Sequence, residues 1–163
     1  MALGYFDAAY GIHEDGKSHT GACLTVGDRG PVSVESTKQS IVTKSSTEAE
    51  LVATSDSTNK LGHLRNFLTA QGYAQGPSTV YQDNMSCMSL IDKGRSTSKK
   101  TRHIAIRYFW TKERIDKGEI TMVHRATELM GPANVITKPT QGAQFVDERE
   151  QLTNWVDDKT ELP

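Results

Sequence analysis

Cysteine is scarce in this chain. Cys23 and Cys87 are the two among 163 residues, too few and too unpatterned for a disulfide framework or a zinc site, which suits a reducing, intracellular setting. Long apolar runs are missing too, since no stretch approaches the roughly 20 residues of a membrane-spanning helix. The opening Met1-Ala2-Leu3-Gly4-Tyr5 has neither the basic nor the apolar region of a signal peptide. Net charge is close to nil, with 19 basic residues against 20 acidic ones, so the whole-molecule charge names no partner and electrostatic recognition must be local. Internal repeats and low-complexity linkers are also lacking. What remains is long enough to bury one core unaided, and residues 1–163 are expected to form a single domain. The chain enters its first strand almost at once, which suggests a domain cut from a longer polypeptide.

The order of elements follows from periodicity and turn residues. Leu3 to Tyr10, Thr20 to Val26 and Pro31 to Glu35 read as strands, joined by Gly11–Lys17 and by the hairpin signal Gly27-Asp28-Arg29-Gly30. A polar segment, Ser36 to Lys44, leads to a helix that runs from Ser45 to near Gly72. Its stripe of Ala49, Val52, Ala53, Leu61, Leu64 and Leu68 has the spacing of a core-facing amphipathic helix. Ser78 to Gln82 is a short strand, and Met85 to Asp92 a short helix closed by Gly94. A basic loop precedes a helix from Ile104 to Lys117, and Glu119 to His124 is a fifth strand. Pro132 suits the first turn of another helix. Phe145 to Val156 reads as a final surface helix with Phe145, Leu152 and Trp155 facing inward. The predicted fold class is α/β, a five-stranded mixed sheet with helices on both faces.

Three acids stand out against this frame. Asp7 lies within a strand, where Asp is depleted. Asp83 sits where a strand gives way to a helix, and Glu50 lies in the second turn of the Ser45 helix, among residues that should face the core. Singly, each has an ordinary explanation: a strand edge for Asp7, a helix-dipole carboxylate for Glu50, an N-cap for Asp83. Sites in open α/β sheets gather at the carboxyl ends of strands. If the strands of Asp7 and Asp83 are neighbours and the Glu50 helix crosses above them, the carboxylates converge. Such a cluster asks for hard divalent cations, Mg²⁺ above all. Two such ions about 4 Å apart serve phosphodiester cleavage.

Five strings occur in order: Gly4-Tyr5-Phe6-Asp7-Ala8; Ser45-Ser46-Thr47-Glu48-Ala49-Glu50-Leu51; Val80-Tyr81-Gln82-Asp83-Asn84; Thr101-Arg102-His103-Ile104 with Ile106-Arg107-Tyr108; and Ala133-Asn134-Val135-Ile136-Thr137-Lys138-Pro139. Together they resemble the ribonuclease H domain at the end of copia-type LTR retrotransposon polyproteins, over Gly4 to about Leu152. The resemblance implies the ribonuclease H-like fold and a metal-dependent endonuclease acting on the RNA strand of RNA–DNA hybrids. It implies two Mg²⁺ ions, with Mn²⁺ as a substitute, and the reverse transcriptase domain of the same polyprotein as a partner. It also implies an intracellular site: the cytoplasm, a retrotransposon particle or the nucleus. Catalytic and metal-binding positions carry over as Asp7, Glu50 and Asp83, with Glu48 kept as the helix-capping partner of Ser45. The fourth position, an acid in the family, falls on Asn134, and a second familiar acid is replaced by Ala105. Ser46 and Asn84, inside the matching strings, are expected to touch nucleic acid.

The basic segment supplies the grip. Lys93, Arg95, Lys99, Lys100, Arg102, Arg107, Lys112 and Arg114 are concentrated in one region. Lys99, Lys100, Arg102, His103 and Arg107 are the expected nucleic-acid contacts, and the interleaved hydroxyls suit phosphates. His103 and His124 have the chemistry of proton shuttles, although a structural role is the ordinary one for such histidines. A second reading, from a different class, is a weakened or inactive hybrid-binding module, because Asn134 brings no charge. A third is a DNA-directed nuclease or integrase of the same superfold.

Overall fold

The computed structural model describes residues 1–27, 30–94 and 104–153. Its strands are β1 (Ala2–Ala9), β2 (His19–Val26), β3 (Pro31–Lys38), β4 (Ser78–Gln82) and β5 (Ile120–His124). The helices are α1 (Ser46–Ala70), α2 (Met85–Lys93), α3 (Ala105–Asp116), α4 (Gly131–Asn134) and α5 (Gly142–Thr153), with a 3-10 turn at Thr127–Leu129. The sheet order is β3-β2-β1-β4-β5. The pairs β1–β2 and β2–β3 are antiparallel, whereas β1–β4 and β4–β5 are parallel. This is the mixed five-stranded sheet that the sequence predicts. The parallel pairing makes β1 and β4 end on the same side, with their carboxyl ends together.

Alternation along β1 decides what lies on each face. Phe6 packs with Ala2, Ala22, Leu24, Val80, Ile120 and Leu61 of α1, forming the main core beneath that helix. Fully burying a side chain such as Phe6 or Leu61 stabilises by about 1.5–3 kcal/mol. Leu51 joins Cys87, Ile91, Ile104 and Tyr108 in a second cluster that ties α1 to α2 and α3. The third cluster is small: Ala8, Ala49 and Ala53. Three alanines let the start of α1 come close to the end of β1, and this sets the height of Glu50 above the sheet.

On the opposite face the segment after α4 packs against β2. Gly21 stands opposite Asp7 in the β1–β2 register. A Cβ there would collide with Thr137 Cγ2 and press on Ala133 O at 3.0 Å. Glycine at this position is what admits Thr137 to Asp7.

Two expectations need correction. β3 runs on to Lys38 instead of ending at Glu35, because Ser36, Thr37 and Lys38 pair with Gly21, Thr20 and His19. This is an edge strand with an exposed outer surface, and its polar residues hide the strand while protecting the edge from foreign pairing. The final helix begins at Gly142, and Phe145 is 40% exposed instead of facing inward. Glu148 is the buried residue of that helix and Leu152 is half-buried, while Trp155 lies outside the described residues.

Candidate metal centre

The local sequence places each acid. β1 carries Asp7 close to its carboxyl end, and Asp83 follows the last residue of β4. α1 begins at an N-cap, Ser45, whose hydroxyl accepts from the Glu48 amide at 3.2 Å. Glu48 reaches back to accept from the Lys44 amide at 2.7 Å, so its carboxylate closes the helix start. Glu50 instead points to the sheet. At α2 the N-cap is Asn84, which accepts from the Cys87 amide at 2.9 Å. Asp83 is therefore spared the capping role that its position suggests, and its carboxylate is available.

Asp7, Glu50 and Asp83 each contribute an oxygen to a group lying within 4.8 Å of one another. The sequence argument for convergence thus matches the geometry. Glu50 is 5% exposed and held at both oxygens. Oε1 accepts from the Ala8 amide at 3.3 Å, and Oε2 from Gln82 Nε2 at 3.2 Å. Burial, followed by the negative charges of Asp7 and Asp83, raises its carboxyl pKa well above the ordinary value. Gln82 is fully buried; its Nε2 also donates to Thr54 Oγ1 at 3.0 Å, and its Oε1 accepts from the Asn84 amide at 2.9 Å.

The segment after β5 closes the other side. Thr127 Oγ1 donates to Asp83 Oδ2 at 2.8 Å. Asn134, which is buried, donates through Nδ2 to Thr127 O at 2.6 Å. This orients the amide, so that its Oδ1 accepts from Lys138 Nζ at 3.1 Å. Lys138 Nζ also lies 3.1 Å from Asp7 Oδ1 and 3.0 Å from Asp7 Oδ2. The Thr137 hydroxyl donates to Asp7 Oδ2. Asn134 therefore stands beside Asp7 through a shared ammonium, and beside Asp83 through Thr127.

The other expected contacts fall in different places. Ser46 is the exposed first residue of α1. Asn84 is engaged as the α2 cap. Arg107 pairs with Asp56 of α1 at 3.1 Å, so this cation is partly spent within the fold. His124 is exposed at the end of β5. Lys99, Lys100, Arg102 and His103 lie outside the described residues. Four contributors escaped the sequence reading: Gln82, Thr127, Thr137 and Lys138. Gln82, Thr137 and Lys138 lie within the strings that carry the family resemblance, which is the signal that points to them, whereas Thr127 lies outside all five.

The donor set suits a hard divalent cation. It consists of oxygens alone, three of them carboxylates, and among the described residues only Lys138 is seen to bring positive charge into contact with the cluster. Burial is the larger cause of the raised Glu50 pKa, and the negative charges of Asp7 and Asp83 that add to it are an excess that a cation would relieve.

Solved structures of similar architecture include ribonucleases H. LC11-RNase H1, isolated from compost by a metagenomic approach, superposes with a TM-score of 0.62 at 15% identity, covering 83% of this chain and 91% of the other. The same enzyme in complex with an RNA/DNA hybrid gives a TM-score of 0.60 at 14% identity, covering 83% and 93%. The fold is thus that of ribonuclease H. No protein-family model matches the chain. In sequence it is 33% identical over 143 residues to the retrovirus-related Pol polyprotein from transposon TNT 1-94 of Nicotiana tabacum, a match that spans 87% of this chain and 10% of the polyprotein. The chain is accordingly a homologue of retrovirus-related Pol polyproteins from plant transposons, as the copia-type resemblance implies, and spans about a tenth of the length of the curated relatives it matches.

Proposed function

We propose that this chain is a ribonuclease H domain of a copia-type polyprotein, hydrolysing the RNA strand of RNA–DNA hybrids during reverse transcription. The observation that carries the proposal is the convergence of Asp7, Glu50 and Asp83 at the carboxyl ends of adjacent parallel strands, in a fold shared with ribonucleases H. Hybrid binding is known of one such neighbour. The domain would work beside the reverse transcriptase of the same polyprotein, inside the cell: in the cytoplasm, a retrotransposon particle or the nucleus. Among the described residues no helix is long and apolar enough to cross a membrane.

Asp7, Glu50 and Asp83 would hold two Mg²⁺ ions, with Mn²⁺ as a substitute and the Asn134 carbonyl as a neutral fourth ligand. When bound, such ions acidify water and offset charge on the departing oxygen. The chain's own residues fix the ligands beforehand. Gln82 and the Ala8 amide orient Glu50, Thr137 orients Asp7, and Thr127 orients Asp83. Water adds to phosphorus, the bond to the 3′ oxygen breaks, and the products carry a 5′-phosphate and a 3′-hydroxyl. Lys99, Lys100, Arg102 and His103 would grip phosphates, and Ser46, Asn84 and Arg107 would add further contacts to the nucleic acid. RNA is selected by its 2′-hydroxyls and helix shape.

The test is cleavage of an end-labelled RNA–DNA hybrid with and without Mg²⁺, beside double-stranded RNA and DNA. Metal-dependent cutting confined to the hybrid, abolished by Asp83→Asn, is the expected result. Cutting by Asp83→Asn at the parent rate would remove the assigned site. A second reading is favoured by Asn134, whose amide lies where the family has an acid and is engaged at both ends: a hybrid-binding module with weakened or lost catalysis. Tight hybrid binding without cleavage in Mg²⁺ or Mn²⁺ would select it.

A further inference from the structure

Lys138 occupies a position that the proposed chemistry would give to a metal ion. Its ammonium is 3.1 and 3.0 Å from the two oxygens of Asp7 and 3.1 Å from Asn134 Oδ1. A cation shared by residues 7 and 134 would draw on these same oxygens. The amide is not free to turn away, because its Nδ2 is committed to Thr127 O at 2.6 Å. Asp7 is 1% exposed but the Lys138 side chain is 38% exposed. The anion is therefore fixed and desolvated, while the lysine reaches in from the rim on a flexible stem that leads back to water.

We infer that Lys138 is an internal plug: its ammonium fills the cation position between Asp7 and Asn134 and must swing out before a divalent ion can bind there. The inference rests on the proposed metal-dependent function and names what regulates metal entry to that site. The group formed by Asp7, Glu50 and Asp83 remains to receive an ion from the Asp83 side, since the described contacts of Asp83 hold a hydroxyl and no cation. The resting chain thus offers one divalent position readily and a second only in competition with its own lysine. An uncharged side chain at 134 fits this arrangement. Asp7 alone supplies the charge at this position, and one ammonium is enough to balance it.

The test uses the whole chain and reads metal binding directly. Mn²⁺ is titrated into the parent, Lys138→Met and Lys138→Arg by calorimetry and by the loss of the free-ion electron paramagnetic resonance signal. Lys138→Met keeps the stem and removes the charge, and Mn²⁺ should bind roughly tenfold more tightly, the effect of deleting one positive charge at close range from a divalent ion. Lys138→Arg keeps a cation suited to a carboxylate and should bind as weakly as the parent. In chelator, Lys138→Met should melt at a lower temperature than the parent, because Asp7 is left buried and unpaired. Added Mn²⁺ should then restore it. Equal, measurable Mn²⁺ affinity in the parent and Lys138→Met, or weaker affinity in Lys138→Met, overturns the plug and leaves the proposed function standing. Signals from the parent and Lys138→Met that both match an Asp83→Asn baseline at millimolar Mn²⁺ would instead remove the metal-dependent reading itself.

Discussion

Gln82 is the residue whose removal should best reveal how the site is held. Its side chain is fully buried and makes three hydrogen bonds: Nε2 to Glu50 Oε2 at 3.2 Å, Nε2 to Thr54 Oγ1 at 3.0 Å, and Oε1 from the Asn84 amide at 2.9 Å. In Gln82→Leu the volume is nearly kept and all three bonds are lost. A buried polar group stripped of its partner costs about 1–3 kcal/mol, more when it is charged. Asn84 is half-buried, so its amide can turn to water and adds little. The cost falls on the Glu50 carboxylate and the Thr54 hydroxyl, both deeply buried, and the added apolar burial of leucine offsets part of it. The net loss should be about 2–4 kcal/mol, which for a domain of this size lowers the melting temperature by roughly 4–16 °C. Urea and thermal denaturation in chelator would measure it. A double-mutant cycle with Thr54→Val would show how much passes through the hydroxyl. If Gln82→Leu melts within about 2 °C of the parent, the three contacts are not a supporting frame for Glu50.

Three further outcomes are expected. Because the Glu50 pKa is raised in the fold, its protonated form is the one the folded state favours. That contribution is fully present below the ordinary carboxylate pKa and is lost as pH rises through the raised value. Urea midpoints in chelator should therefore fall with pH in the parent relative to Glu50→Gln, and parallel profiles would contradict the assignment. Gly21→Ala should destabilise by about 1–3 kcal/mol, the range for overpacking, and should weaken Mn²⁺ binding by displacing Thr137 from Asp7; unchanged metal affinity would separate the close approach from the site. Replacing Lys99, Lys100 or Arg102 with Ala should weaken hybrid binding about equally for all sequences and lower the salt slope of log K by roughly one unit for each contact. Unchanged affinity and slope would return the segment to an ordinary solvated surface.

Much of the frame was legible because it is written in local periodicity. The β1 and β2 strands follow from short, mostly apolar or small runs bounded by turn residues, the stripe of α1 from its helical spacing, and the end of α2 from Gly94. The end of β3 was not, because an edge strand with polar residues on its exposed surface looks like a loop. Phe145 misled for the opposite reason, being an apolar residue left on the surface. Within the candidate site, the convergence of Asp7, Glu50 and Asp83 is legible, as each sits oddly in its own element. The role of Lys138 is not, since it depends on an aspartate 131 residues away. Local charge density marks Arg107 as a phosphate contact, and only packing brings Asp56 of α1 against it.

The long reach from Asp7 to Thr137 has a consequence in time. These partners are 130 residues apart, and loop closure over that span cannot precede synthesis of the later segment. The ribosome makes β1, α1 and β4 before residues 127–138. In that interval Glu50 has its partners, the Ala8 amide and Gln82, but Asp7 and Asp83 lack the hydroxyls of Thr137 and Thr127 and the ammonium of Lys138. The cluster is thus completed by one of the last-made parts of the described chain. Docking of that short segment against Gly21 is what completes the hydrogen-bonded surroundings of Asp7 and Asp83.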